Sequence, residues 1–151
     1  MDSWEQLQFL IGSWSSPVSG QPGQGISGST TFSYDLDKKE IIRKSRAEFA
    51  PEPGKVKGLM HEDLLVIYRQ PGEAQFRAIY FDNEGHIIHY TLTFPTKQPA
   101  VVLESESSET SPRARLTYEM VAHDTLVTEF FVAAPGGELV SHIKGTVKRN
   151  S

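Results

Sequence analysis

One short stretch decides the fold: Gly28-Ser29-Thr30-Thr31-Phe32-Ser33-Tyr34-Asp35 alternates small polar side chains with bulkier ones. A period of two residues predicts a β-strand with one buried face and one face in water. The residues that follow, Asp35-Leu36-Asp37-Lys38-Lys39, have the composition of a turn, and a second alternating segment covers Glu40–Phe49. We therefore expect an antiparallel hairpin at this point in the chain.

The same alternation, interrupted by turn residues, recurs to the end of the chain. An irregular first strand and a loop are expected over residues 15–26. After them the pattern predicts strands over residues 28–35, 40–49, 58–69, 75–81, 86–94, 99–106, 113–122, 125–133 and 138–148. Since no helix separates these strands, consecutive strands are expected to pair antiparallel, and about ten of them must curl and close.

The start of the chain carries a helix signal. Ser3 and Gln6 have the spacing of a capping box, and Trp4, Leu7 and Leu10 recur at helical spacing, which predicts one short amphipathic helix over residues 3–10. Its apolar face is expected to plug one mouth of the barrel. The predicted fold is therefore all-β: residues 1–151 form a single domain, an antiparallel up-and-down β-barrel of about ten strands with a short N-terminal helix.

The amino-acid composition limits the kinds of molecule that the protein can bind. The chain of 151 residues has no cysteine and a net charge of −4, and its basic residues are scattered. Disulfides and thiolate chemistry are thus excluded, and no basic surface for nucleic acid is expected. The first residues lack a signal-peptide pattern, and no stretch approaches the ~18 apolar residues of a membrane span. We expect a cytoplasmic monomer or homodimer with a small-molecule partner and no membrane partner.

A polar triplet, His61-Glu62-Asp63, interrupts an otherwise apolar predicted strand. On a strand His61 and Asp63 share one face, whereas Glu62 points to the other. If the shared face lines the barrel interior, His61 and Asp63 form a candidate acid-base or ligand-binding pair. An enzyme would use His61 with either Asp63 or Glu62 as acid and base, so all three are candidate catalytic residues. The alternative is a hydrogen-bonded structural network or a surface ladder.

A ligand pocket inside the barrel would be lined by aromatic side chains and anchored by a cation. Two arginines on one predicted strand, Arg43 and Arg46, can hold a carboxylate through paired hydrogen bonds, although most charged strand faces are simply solvated. The candidate wall residues are Phe32, Tyr34, Tyr68, Phe76, Tyr80, Tyr90 and Phe94.

Three short motifs carry a resemblance to a known family. They are Leu10-Ile11-Gly12-Ser13-Trp14, Gly58-Leu59-Met60-His61-Glu62 and Ser141-His142-Ile143-Lys144-Gly145-Thr146-Val147-Lys148-Arg149. In these motifs the chain resembles nitrobindin-type barrels of the lipocalin-like calycin group. The stretch from Phe81 to Phe94 resembles uncharacterised bacterial lipocalin-like proteins. The resemblance implies a ten-stranded antiparallel barrel with an apolar pocket and a tryptophan packed at the closed end.

The resemblance also implies a cofactor. In nitrobindins a histidine of the closing strand binds haem iron, and His142 is at the matching position. It would then be the metal ligand of haem b. From the residues alone, a lone histidine on a strand is more often a hydrogen-bonded structural residue.

Three functions are consistent with the sequence. The leading hypothesis is a barrel that binds a small, largely apolar ligand, which can carry a carboxylate or be haem. The second is an enzyme that uses the His61 cluster on a bound substrate. The third is a structural or interaction barrel whose interior is filled by side chains.

Overall fold

A computed structural model describes residues 3–16, 25–97, 99–106 and 112–151. Within these ranges the chain forms one 3-10 helix, Trp4–Leu10, and ten β-strands. The strands are β1 (Gly12–Ser16), β2 (Gly25–Asp35), β3 (Glu40–Phe49), β4 (Leu59–Tyr68), β5 (Arg77–Asp82), β6 (Ile87–Thr93), β7 (Ala100–Ser105), β8 (Arg113–Ala122), β9 (Thr125–Ala133) and β10 (Val140–Arg149).

The strands close into one antiparallel barrel. Each strand pairs with its neighbour in sequence, and β1 pairs with β10, where Trp14 lies opposite Arg149. The predicted up-and-down barrel of about ten strands is therefore confirmed. Closure pairs both edges of the sheet, so each of the ten described strands has a neighbour on both sides.

The start of the barrel differs from the prediction. The first strand, β1, begins at Gly12, three residues before the predicted irregular strand, and β2 begins at Gly25, three residues before the predicted start at residue 28. Most of the predicted loop over residues 15–26 and most of the predicted loop after β7 lie outside the described residues.

The N-terminal helix closes one end of the barrel, as expected. Its first turn is held by the predicted capping box, in which Ser3 accepts from the Glu5 N–H and the Gln6 side chain accepts from the Ser3 N–H. Leu7 and Leu10, which lie on the helix, are fully buried. We call this end of the barrel the helix end.

Arg149 fastens the last strand to the helix end. Its guanidinium donates to the carbonyl oxygens of Ile11 and Phe9 over 2.6 and 3.2 Å, and it lies 4.1 Å from the centre of the Trp14 ring. Trp14 in turn donates its indole N–H to the Leu10 carbonyl over 2.9 Å. These contacts satisfy carbonyl groups at the end of the helix that have no partner within it.

The barrel interior is packed near the helix and more open at the opposite mouth. The inward side chains in the half next to the helix are fully buried: Trp14, Phe32, Ile41, Leu65, Ile67, Ala78, Leu92, Val101, Leu103 and Leu126. Inward side chains of the other half keep access to solvent: Thr30, Ser45, His61, Tyr80, Ile88, Ser105, Thr128 and Phe130. The half away from the helix is therefore where a ligand can enter.

Candidate functional site

A polar cluster lies inside the barrel where the two halves meet. Strand pairing brings its members onto one inward face, because Ser45 lies opposite Asp63 and Asp63 lies opposite Asp82 in the register of β3, β4 and β5. The cluster, which we call the interior polar cluster, consists of Arg43, His61, Asp63, Tyr80, Asp82 and Tyr118.

Arg43 is the centre of this cluster. Its side chain is only 5% exposed, and it donates to Asp63 Oδ1 over 2.5 Å and to the Tyr118 hydroxyl over 2.6 Å. Burial alone would lower the pKa of Arg43, but its charge interactions and hydrogen bonds with Tyr118 and Asp63 raise that pKa above the ordinary value. The guanidinium therefore stays charged inside the barrel.

One hydrogen-bond donor of Arg43 has no acceptor among the described residues. This donor is its Nε–H, which is buried. A buried donor without an acceptor costs roughly 1–3 kcal/mol of folding free energy. In addition, the Tyr118 oxygen accepts from Arg43, which leaves the Tyr118 proton able to donate to another group. The Arg43 Nε–H is thus a buried donor that can bind an oxygen acceptor.

His61 supports the acidic side of the cluster. Its Nε2 lies 3.1 Å from Asp63 Oδ2 and 3.2 Å from the Tyr80 hydroxyl, and its Nδ1 lies 3.5 Å from Glu84 Oε1. Both ring nitrogens therefore face protein groups. A catalytic His61 would first have to release one of these partners, so the arrangement favours the structural network among the alternatives that the sequence left open.

Tyr80 and Asp82 extend the network to the β5–β6 hairpin. The Tyr80 hydroxyl donates to Asp82 Oδ2 over 3.0 Å, and burial, followed by the Asp63 charge, raises the pKa of Tyr80. Burial alone would also raise the pKa of Asp82, but hydrogen bonds from His86, Tyr80 and the Glu84 backbone outweigh it and lower that pKa to about 2. Asp82 is therefore an ionised carboxylate.

Open space lies beside β10 at the level of Tyr118. Gly145 occupies an inward position, because it pairs with Thr128, which in turn pairs with Tyr118. A Cβ atom placed on Gly145 would meet no atom of the described residues within 4 Å. The next inward residue toward the mouth, Ile143, is 60% exposed although it points inward. The barrel interior is therefore unfilled beside Gly145. This space is two strands away from Tyr118, at the same level of the barrel.

The structure places the predicted wall residues in three different settings. Arg43, Tyr80 and the buried Tyr90 face the interior near the cluster. Phe32 and Phe76 are packed into the core at the helix end, with Phe94 beside them. Tyr34 also lies at the helix end, where its hydroxyl donates to Gln8 over 2.7 Å.

Three predicted site residues lie on the outer surface, which corrects the prediction for them. Arg46 is three residues from the inward Arg43, and Tyr68 and Glu62 are an odd number of residues from the inward Asp63, so the period of a strand turns all three outward. Arg46 is 52% exposed and pairs with Glu48 and Glu62. It cannot anchor an interior ligand.

His142 lies at the open mouth. The pairing of β10 with β9 shifts register between Ser141 and Ile143, so His142 sits in a bulge, exposed, with its ring 6.3 Å from that of Phe130. The described residues around this imidazole do not enclose a porphyrin. Haem therefore does not fit the surroundings of His142, and we assign no chemistry to it.

Sequence reasoning missed Tyr118 and Gly145. Ala114, Leu116, Tyr118 and Met120 alternate along one strand, and this pattern already marks Tyr118 as facing the same way as three apolar residues. No comparable signal marks Gly145, because a glycine has no side chain to enter a pattern.

The overall architecture matches a solved protein structure. The S-type phycobiliprotein lyase CPES from Guillardia theta superposes with a TM-score of 0.55 over 100% of this chain and 94% of that chain, at 13% sequence identity. Both chains therefore share the fold of a closed antiparallel barrel. At this identity the likeness to the lyase concerns the fold alone. No protein-family model matches the sequence, and no curated protein does.

Two further features of the barrel concern metal ions and membranes. Among its described residues, no group of three or more His, Asp or Glu side chains is arranged to hold a metal ion. In the same part of the chain, no helix has both the length and the apolar character needed to cross a membrane.

Proposed function

We propose that this lipocalin-like barrel binds a small, largely apolar molecule in the open half of its interior. The ligand carries an oxygen acceptor that takes a hydrogen bond from the Arg43 Nε–H. The observation that carries the proposal is the buried Arg43 Nε–H, which has no acceptor within the described ranges. A ligand oxygen in this position would remove the cost of the unpaired donor.

The charges of the cluster favour a neutral acceptor. Arg43 contributes one positive charge, whereas Asp63 and Asp82 have side chains that are 11% and 3% exposed and contribute two negative ones. A ligand carboxylate would therefore enter a region with an excess of negative charge at low dielectric. A carbonyl or ester oxygen accepts the hydrogen bond from the Arg43 Nε–H without that penalty. We accordingly propose a neutral carbonyl group, in place of the carboxylate that the arginines alone suggested.

Binding of a fluorescent probe tests this proposal. The probe is the methyl ester of 11-(dansylamino)undecanoic acid, whose emission rises and shifts to the blue in an apolar site. We expect saturable binding to the wild type and its loss in Gly145→Phe, because the ring fills the open space beside β10. Gly145 does not have a positive φ, so the fold should be retained, as circular dichroism would show.

The anchor is tested separately. Arg43→Met combined with Asp63→Asn removes both the donor and its buried counter-charge, and we expect the ester to bind about tenfold more weakly. Arg46→Met, on the outer face of the same strand, is the matched control and should bind normally. Equal binding by the wild type and Gly145→Phe would overturn the interior site. The same assay distinguishes the proposal from a filled structural barrel, which would bind no probe.

Haem is not part of this proposal, because the imidazole of His142 is exposed at the mouth. We expect a hemin titration to give the same spectrum for the wild type and His142→Ala. A Soret band that is present in the wild type and absent in the variant would reinstate the haem hypothesis.

A further inference from the structure

A second cavity lies at the helix end, on the opposite side of the packed core from the interior site. It is a cleft with a volume of about 630 Å³ between the β2–β3 turn and the β4–β5 turn. Trp4 of the helix forms one wall, and Lys38, Lys39 and Arg69 contribute three cationic side chains. We call it the helix-end cleft. Its size is within the range of pockets that hold small organic molecules.

Aromatic rings hold two of these cations in place. The Lys38 ammonium lies 5.6 Å from the centre of the Tyr34 ring, and the Arg69 guanidinium lies 4.9 Å from the centre of the Phe76 ring. Such cation–π contacts restrict where a long side chain can place its charge. The aromatic rings therefore restrict where the Lys38 and Arg69 charges lie at the surface of the cleft.

Trp4 sits between these two pairs. Its indole meets Phe76 at 4.6 Å and Tyr34 at 6.2 Å, edge to face in both cases, and the side chain remains partly exposed. The two neighbouring rings hold the indole in one orientation, with part of its surface facing the cleft. A flat ring of a ligand can pack there.

The charge of the cleft is positive in a chain whose net charge is −4. Two acidic residues, Asp37 and Glu73, also line it. Glu73 accepts from Arg77 over 3.0 Å, and Arg77 also pairs with Glu106. Three cations and two carboxylates line the cleft, so its lining carries a net positive charge, which favours an anionic ligand.

The backbone of the β2–β3 turn, which carries both lysines, has an energetically unfavourable conformation. Three consecutive residues that are not glycine, Leu36, Asp37 and Lys38, have positive φ values of 47°, 56° and 60°. This conformation is unfavourable for residues with a Cβ, and runs of it are rare. The turn is closed by the Lys39 N–H, which donates to the Asp35 carbonyl over 3.2 Å. Strain of this kind is concentrated at functional sites.

We propose that the helix-end cleft binds an organic anion that carries an aromatic ring. The ring packs on Trp4, and the anionic group is held by Lys38, Lys39 and Arg69. This site is separate from the interior site, because the fully buried Leu7 and Leu10 lie between the helix surface and the barrel interior.

Nuclear magnetic resonance of the ¹⁵N-labelled full chain tests the proposal through the two indole N–H signals. The chain has two tryptophans, so Trp4→Phe assigns both signals. The probe is naphthalene-2-sulfonate, compared with the neutral 2-naphthol and with methanesulfonate, which has no ring. We expect naphthalene-2-sulfonate to shift the Trp4 signal in a saturable way. Both comparison compounds should bind at least about fivefold more weakly, because 2-naphthol lacks the negative charge and methanesulfonate lacks the ring. The buried Trp14 signal should remain in place.

Matched lysine variants complete the test. Lys38→Gln with Lys39→Gln should weaken the binding of naphthalene-2-sulfonate about tenfold. Lys55→Gln with Lys57→Gln makes the same change of net charge at exposed positions between β3 and β4 and should have no such effect. If both double variants weaken binding equally, the anion is attracted only by the net charge of the protein, and the proposed site is overturned. Binding of methanesulfonate as tight as that of the aromatic anion would overturn it as well, as would displacement of the Gly145 amide signal in place of the Trp4 indole signal.

Discussion

Arg43 on β3 reaches across the barrel and donates a hydrogen bond of 2.6 Å to the hydroxyl of Tyr118 on β8. The two residues are 75 positions apart in the chain and both are buried. The contact joins opposite walls of the barrel. It also holds the guanidinium whose Nε–H is the donor of the proposed ligand site.

Tyr118→Phe should destabilise the protein. The substitution keeps the ring that packs edge to face on Phe32 at 5.4 Å, but it removes the acceptor of a buried guanidinium N–H. The free energy of unfolding should fall by about 1–3 kcal/mol, measured by urea denaturation. Tyr68→Phe on the outer face is the control and should change stability by less than about 0.5 kcal/mol. Similar losses in both variants would show that the Arg43 contact contributes no stability.

Asp63→Asn should change which ligand the interior prefers. In the wild type we expect the methyl ester of 11-(dansylamino)undecanoic acid to bind more tightly than the free acid. Removing the Asp63 charge leaves Arg43 with a neutral partner, so affinity for the acid relative to the ester should rise about tenfold. Fluorescence titration with both probes measures the ratio. A wild type that already prefers the acid would show that the ligand group is anionic, without affecting the evidence for the cavity.

Asp82 should make stability depend on pH in the acid range. Its pKa is lowered from the ordinary 3.8 to about 2 in the folded protein, so the ionised form is favoured by folding. The contribution is fully present above about pH 4 and is lost as the pH falls toward about 2, amounting to about 2 kcal/mol. Urea unfolding between about pH 5 and pH 2 should show a shallower decline for Asp82→Asn than for the wild type. Parallel declines would contradict the assignment.

Arg149→Gln should loosen the helix end. The variant loses charged donors to the Ile11 and Phe9 carbonyl oxygens and the contact with the Trp14 ring. We expect a loss of about 2–3 kcal/mol in the free energy of unfolding and faster exchange of the Trp14 indole proton. Arg115→Gln removes an exposed pair with Glu104 and should cost less than about 1 kcal/mol. If the two variants lose the same stability, Arg149 does not fasten the helix.

Local sequence signals were sufficient for much of the fold. The period of two along β2, the capping box at Ser3 and Gln6, and the turn residues of the β5–β6 hairpin predicted these elements, because each signal comes from residues close in the chain. The spacing of Arg43 and Arg46 also carries a constraint: three residues apart on one strand, they cannot share a face.

Which face turns inward was decided only by the tertiary structure. A shift of one residue moves every side chain of a strand to the other face, and the pattern of β4 allows both faces to be apolar. Barrel closure placed Arg43 and His61 inside and left Arg46 and Tyr68 outside. By itself, the sequence determined an antiparallel barrel with a helical plug, through local periodicity. The pairing of Arg43 with Tyr118 and the space beside Gly145 arise only when distant strands meet, and no local pattern contains them.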